Sequence, residues 1–460
     1  MRIVSRVYDL VRSRRLAAVL LAALAAWSGL ATLVPQKGST GGRTLQGAGD
    51  WLVRALGLDH AFSSPVFIGL AAALFVSTVA CSLERTAAAV RLWRRADRPE
   101  AHARRLGARC DFVVEAADPA EAVQTASAAL REAGLRVRTA SSEVVLATSS
   151  RLGVWGSPAF HWLLAVLIVV IAAGQLTRAE GLMGVPVGGA RLDTRASYGI
   201  VSEGPLHRGF TMLTVAVPSL ELTHVVDGID RGPTPYVELY DGPERLESGF
   251  VYPNHPLRYK SLIVHSNDIG LAVKLISPDG TETDALLDFD EARCVATSTL
   301  EAAGPGGVTA LHLSIPLETV GGRCVRALPR EPRIEWTATG PAGRRSGSVR
   351  PGERFEPVPG FAIAVARVGY YARLSVADDW SVYPMYAVFV LAVLALAVAL
   401  FAPYREAAAL VQKGPEGATV RIGARHARRD PSFQQRVRAS VERAFSASCE
   451  SCERRSRDDD

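Results

Sequence analysis

Six cysteines in 460 residues are too few to build a disulfide scaffold. Forty glycines and 26 prolines are too few for a fibrous or low-complexity chain. Charged residues are also scarce, at 21% against 48% hydrophobic, with a mean hydropathy of +0.14. That balance is too apolar for a soluble chain of this size and too charged for a pure membrane bundle. Catalytic signatures are missing as well. The sequence has no Walker loop, no G-x-S-x-G, no H-E-x-x-H and no Rossmann fingerprint. What remains is a mixed chain, with several membrane spans and a large water-facing part.

Four stretches contain no Asp, Glu, Lys or Arg: residues 16–34, 66–83, 158–176 and 382–402. Each reaches the roughly 20 residues that cross a bilayer as a helix. The first ends in Val34-Pro35-Gln36 with no small-residue cleavage site, so it reads as an uncleaved anchor.

The net charge of +6 is unevenly distributed. Residues 1–15 carry five Arg against one Asp, and residues 84–109 carry eight Arg against three acids. Residues 177–380 carry 20 basic and 25 acidic side chains. The positive-inside rule then puts the N-terminus (1–15), the 84–157 segment and the 403–460 tail in the cytoplasm. The 35–65 loop and the 177–381 domain fall outside it. The expected location is a bacterial cytoplasmic membrane. The basic excess is a topological signal; no basic face with stacking aromatics points to nucleic acid.

The expected fold is an integral membrane protein with four transmembrane α-helices. A large all-β domain lies between the third and fourth, and a small cytoplasmic β-α-β-β unit between the second and third. In that unit, Asp111–Glu115, Leu135–Thr139 and Glu143–Thr148 read as strands. Pro119–Ala133 reads as a helix with Asp118 as N-cap. The 177–381 domain reads as a β-sandwich or open barrel. Its turn chemistry is expected at Pro278-Asp279-Gly280 and Asn267-Asp268-Ile269-Gly270. The last 58 residues read as a polar, partly disordered tail. Phe433, Val437, Val441 and Phe445 mark one amphipathic helix within it.

The most informative residue is His161, the only imidazole inside the four apolar stretches. An ionisable residue at membrane depth is expensive and usually has a partner or a task. Ile168 and Gln175 follow on the same helical face, about 20° and 40° away. A neutral imidazole is a common haem ligand, but a bond to a backbone carbonyl or headgroup is the plainer alternative. Cys81 reads as a packing thiol. An oxidising compartment would permit a bond between Cys294 and Cys324. Cys449 and Cys452 form a C-x-x-C with no following His and too few ligands for zinc. His255 and His265 read as surface histidines around a strand.

Several segments together resemble the ResB-type proteins of System II cytochrome c biogenesis. They are Val34-Pro35-Gln36 after the first span, Cys81-Ser82-Leu83-Glu84-Arg85 closing the second, and His161 opening the third. Two more lie in the outer domain: residues 254–260 (NHPLRYK), and residues 371–379 (YARLSVADD) before the fourth span. Ser261, His265-Ser266 and Asp379-Trp380 depart from the family pattern. The resemblance implies a haem-trafficking and assembly subunit, not a complete catalyst, of a cytochrome c haem lyase complex. It implies haem b as bound or transported group, with His161 as an axial ligand of the iron. It further implies a ResC/CcsA-type membrane partner, apocytochrome c, and a possible thiol-disulfide oxidoreductase. The alternative is a membrane-anchored scaffold for apocytochrome or a thiol-reducing partner, without haem of its own.

Overall fold

The computed structural model describes residues 10–34, 50–58, 61, 64–95, 98–304, 307–340, 343–414, 417–426 and 431–458. The chain divides into two compact units, residues 171–383 and the remainder.

Among the described residues, four helices are long and apolar enough to cross a membrane. The first span helix is Arg14–Leu33, capped by Ser13, whose side chain accepts from the Arg15 amide. The second is Pro65–Arg94, capped by Ser64 with Pro at its first turn, where a missing N–H costs nothing. The third is Gly153–Thr177 and the fourth Val382–Phe401. The second runs on past Leu83, the expected end. Its 30 residues reach about 45 Å at about 1.5 Å each, well beyond a hydrocarbon core of about 30 Å. Its last three turns carry Arg85, Arg91 and Arg94 beyond the charge-free stretch.

The unit that holds the chain termini also contains an α/β domain. The strands Phe112–Ala116, Arg136–Ala140 and Val144–Ser149 and the helix Pro119–Glu132 come from the segment between spans two and three. The C-terminal segment adds the strands Arg405–Gly414 and Gly417–His426. These two strands sit in the middle of one antiparallel five-stranded sheet, between Phe112–Ala116 on one side and Val144–Ser149 on the other. The residues after 403 are thus not an appended tail. They complete the domain that the 84–157 segment begins.

Alternation explains the packing. Val145, Ala147, Ala407 and Ala409 face the helices Pro119–Glu132 and Pro431–Asp458. Val144, Leu146, Ala408 and Leu410 face the helix Pro99–Ala108 through Ala103 and Leu106. Phe433, Val437, Val441 and Phe445 are all buried in the first of these cores, as their four-residue spacing requires. The side chains of Cys449 and Cys452 lie outside the described residues.

The other unit is antiparallel β. Its spine is the pairing of Leu262–Ile276 with Phe361–Asp378, 15 and 18 residues long. They occupy the middle of an eleven-stranded sheet, and a four-stranded sheet holds Thr214–Glu221 and Thr234–Asp241 at its centre. Val215, Val217, Val237 and Leu239 of the smaller sheet pack on Leu262, Val264, Leu374 and Val376. A second core gathers around Leu271, Val273, Leu311, Leu313 and Trp336.

Pro278-Asp279-Gly280 forms a turn, with the Ser277 amide bonded to the Thr281 carbonyl and Gly280 at φ +85°. Asn267–Gly270 does not. It lies inside the long strand, with a register shift between Ser266 and Asp268. Cys294 and Cys324 are joined by a disulfide, their Cα atoms 5.4 Å apart. The bond ties the strand that follows residue 294 to a small hairpin turned by Gly321 and Gly322, both with positive φ.

Candidate functional site

His161 is half-buried on the third span helix, two turns from its start. Its Nδ1 lies 2.8 Å from the carbonyl oxygen of Ser157, one turn earlier. A carbonyl can only accept, so Nδ1 carries the proton. In the neutral ring the lone pair is then on Nε2. An N–H bonded to a backbone carbonyl is how metal-binding imidazoles are commonly held in tautomer and orientation. Phe160 meets the ring edge-on, with centroids 5.4 Å apart.

Ser157 also connects this helix to the second span. Its hydroxyl accepts from Arg85 Nη1 at 2.7 Å, and Arg85 Nε donates to Cys81 Sγ at 3.2 Å. One turn further, Trp162 Nε1 donates to Thr86 Oγ1 at 3.0 Å. The segment Cys81–Thr86 thus runs beside the third helix and is bonded to it at Ser157 and Trp162. On the fourth helix, Ala399 lies against Gly156, where a Cβ on the glycine would come 2.6 Å from the Ala399 nitrogen. Only a residue without a side chain admits that approach.

The other sequence candidates fall elsewhere. Cys81 packs as a half-buried free thiol whose sulfur accepts from Arg85. Gln175 is exposed. His255 is exposed in a tight turn and stacks on Tyr252 with centroids 4.5 Å apart. His265 points outward on the long strand, where partial burial and then the nearby Arg258 hold its pKa below the ordinary value. Among the described residues, no three His, Cys, Asp or Glu side chains are grouped to hold a metal ion.

One buried polar cluster escaped the sequence reading. Glu406 has a fully buried side chain on the strand Arg405–Gly414. Its Oε2 receives His102 Nε2 at 2.8 Å and the Tyr404 hydroxyl at 3.0 Å, and Oε1 faces Arg425 Nη1 at 3.7 Å. Burial alone would raise the carboxyl's pKa. The hydrogen bond and charge of His102, then Tyr404 and Arg425, outweigh it and hold the group below its ordinary value. Burial and the adjacent Glu406 push the Tyr404 phenol up. Among the described residues, Oε1 makes no hydrogen bond and has only the Arg425 charge beside it. With His102 and Tyr404 both committed to Oε2 inside a packed domain, the cluster reads as structural glue.

Comparison with curated proteins returns no match. The ResB-like family matches residues 14–344, which takes in the first three spans, the segment between spans two and three, and most of the β domain. Four membrane-length apolar helices and a large antiparallel β domain agree with that match. The chain therefore belongs to the ResB-like family, and membership implies a role in cytochrome c biogenesis.

Proposed function

We propose that this chain is a haem-handling subunit of a cytochrome c synthase, with His161 as an axial ligand of haem iron inside the membrane. The observation that carries the reading is membership of the ResB-like family together with the place of His161 as the one imidazole within the span helices. Its bond to the Ser157 carbonyl is compatible with ligation through the other ring nitrogen. That bond keeps the proton on Nδ1 and leaves Nε2 as the nitrogen able to ligate. The residues present therefore fit the group. Haem is cargo here, and when bound it supplies the iron that His161 coordinates. Low-spin iron takes two axial ligands. This chain offers one imidazole within its spans, so a membrane partner of the ResC/CcsA type supplies the other.

The charge asymmetry of the connecting segments supports a bacterial inner-membrane protein with both termini and the α/β domain in the cytoplasm. The β domain then stands outside, where its disulfide persists and where apocytochrome or a thiol-reducing protein can dock.

The test is a visible spectrum of the full-length protein purified with its partner. His161→Ala is expected to lower bound haem by about tenfold or more, in line with the loss of a ligand and its orienting bond. Unchanged haem content in that variant would leave a scaffold without haem of its own.

A further inference from the structure

On the reading that His161 holds haem iron, we infer that Arg85 is the anchor for the haem propionates. Haem b carries two carboxylates on one edge of the porphyrin. An anion at the border of a membrane needs a cation or water beside it. Arg85 is half-buried near the point where the second span helix leaves the apolar layer. Its two recorded bonds go to neutral atoms, Cys81 Sγ and Ser157 Oγ. A guanidinium has five N–H donors, so donors remain. Among the described residues no carboxylate lies within ion-pairing distance of it. The adjacent Glu84 pairs instead with Arg12 at 3.6 Å.

The position is as telling as the charge. Ser157 takes Arg85 on its hydroxyl and His161 on its carbonyl. The guanidinium therefore sits one helical turn from His161, about 6 Å along the axis, on the side toward the polar end of the helix. A porphyrin with its iron on His161 and its propionate edge turned toward that end would bring a carboxylate to Arg85. A planar fork of donors matches a carboxylate bidentately. The nearby arginines are otherwise engaged. Arg12 faces Glu84, and Arg151 lies over the Trp93 ring at 4.0 Å.

The experiment uses the full-length protein with its partner in a phosphate-free neutral detergent, titrated with haem b and with haem b dimethyl ester. The wild type should prefer haem b by about tenfold or more, the size of one charge-assisted bond. Arg85→Gln should bring the two affinities to within about twofold while keeping the Soret position, because the axial ligand is intact. Arg85→Lys keeps the charge without the fork and should retain part of the preference, which also covers the case where Arg85→Gln fails to fold. If Arg85→Gln or Arg85→Lys folds and the glutamine variant keeps the wild-type preference, Arg85 serves another anion, such as lipid phosphate, and the inference is wrong. A spectrum unchanged in His161→Ala would instead remove the haem reading beneath it.

Discussion

Replacing Gly270 by valine is expected to cost the β domain about 3 kcal/mol or more, the upper range for forcing volume into a packed core. Gly270 is paired with Tyr371 in the spine of the large sheet. A Cβ there would collide with Tyr371 Cε1 and come 2.5 Å from the Leu287 carbonyl. Neither neighbour can retreat. The Leu287 carbonyl belongs to an adjacent strand, and Tyr371 is only 2% exposed. The tyrosine hydroxyl donates to Asp288 and accepts from Arg373 Nη2 at 3.0 Å. The ring is thus held at its hydroxyl by two bonds and at its backbone by the strand pairing. Protease resistance of the β domain in the purified full-length protein reads the effect. Combining Gly270→Ala with Tyr371→Leu should cost less than the two single changes summed, because the residues share one space. Strict additivity would mean that the ring does not lie over the glycine.

His102→Ala is expected to destabilise the α/β domain by about 3 kcal/mol, the order of cost when a buried carboxylate loses a hydrogen-bond donor. Glu406 has no exposure to water through which to recover hydration. Tyr404 and Arg425 remain and limit the loss. The double variant His102→Leu with Glu406→Leu should lose less than His102→Ala alone, since it leaves no orphaned carboxylate.

The pH dependence has a definite sign. The folded Glu406 carboxyl titrates below its ordinary value of 4.5. Its contribution is complete above that value and is lost as the pH falls through the depressed folded one. Hydrogen exchange on the strand Arg405–Gly414 should therefore quicken on acidification below about pH 4.5 in the wild type, and less so in Glu406→Leu. An equal acid response in both would show that other carboxylates govern it.

The local signals in the sequence were good guides. Absence of charge marked the spans, and the four-residue spacing from Phe433 to Phe445 marked a helix that the structure buries on that face. What escaped was non-local. Arg405–Gly414 reads REAAALVQKG, a weak strand former that is buried on both faces and so shows no alternation. Its partner Val144–Ser149 lies more than 250 residues earlier in the chain, out of reach of any pattern window. A lone Glu beside three alanines was the available hint of a buried ion pair.

Asn267–Gly270 had the composition of a turn, but Gly270 is there to admit Tyr371, whose motif lies a hundred residues on. At the candidate site His161 was visible, while Arg85 stood in the Cys81–Arg85 segment without a task. Its bond to Ser157 joins two helices 72 positions apart, and only the fold supplies that contact.

The proposed ligation of haem iron by His161 Nε2 is tested most directly by chemical replacement of the ring. His161→Gly in the complex with the partner should lose the low-spin haem spectrum, and imidazole added to the buffer should restore it by filling the vacated space. A glycine variant whose spectrum matches the wild type before any imidazole is added would contradict the assignment.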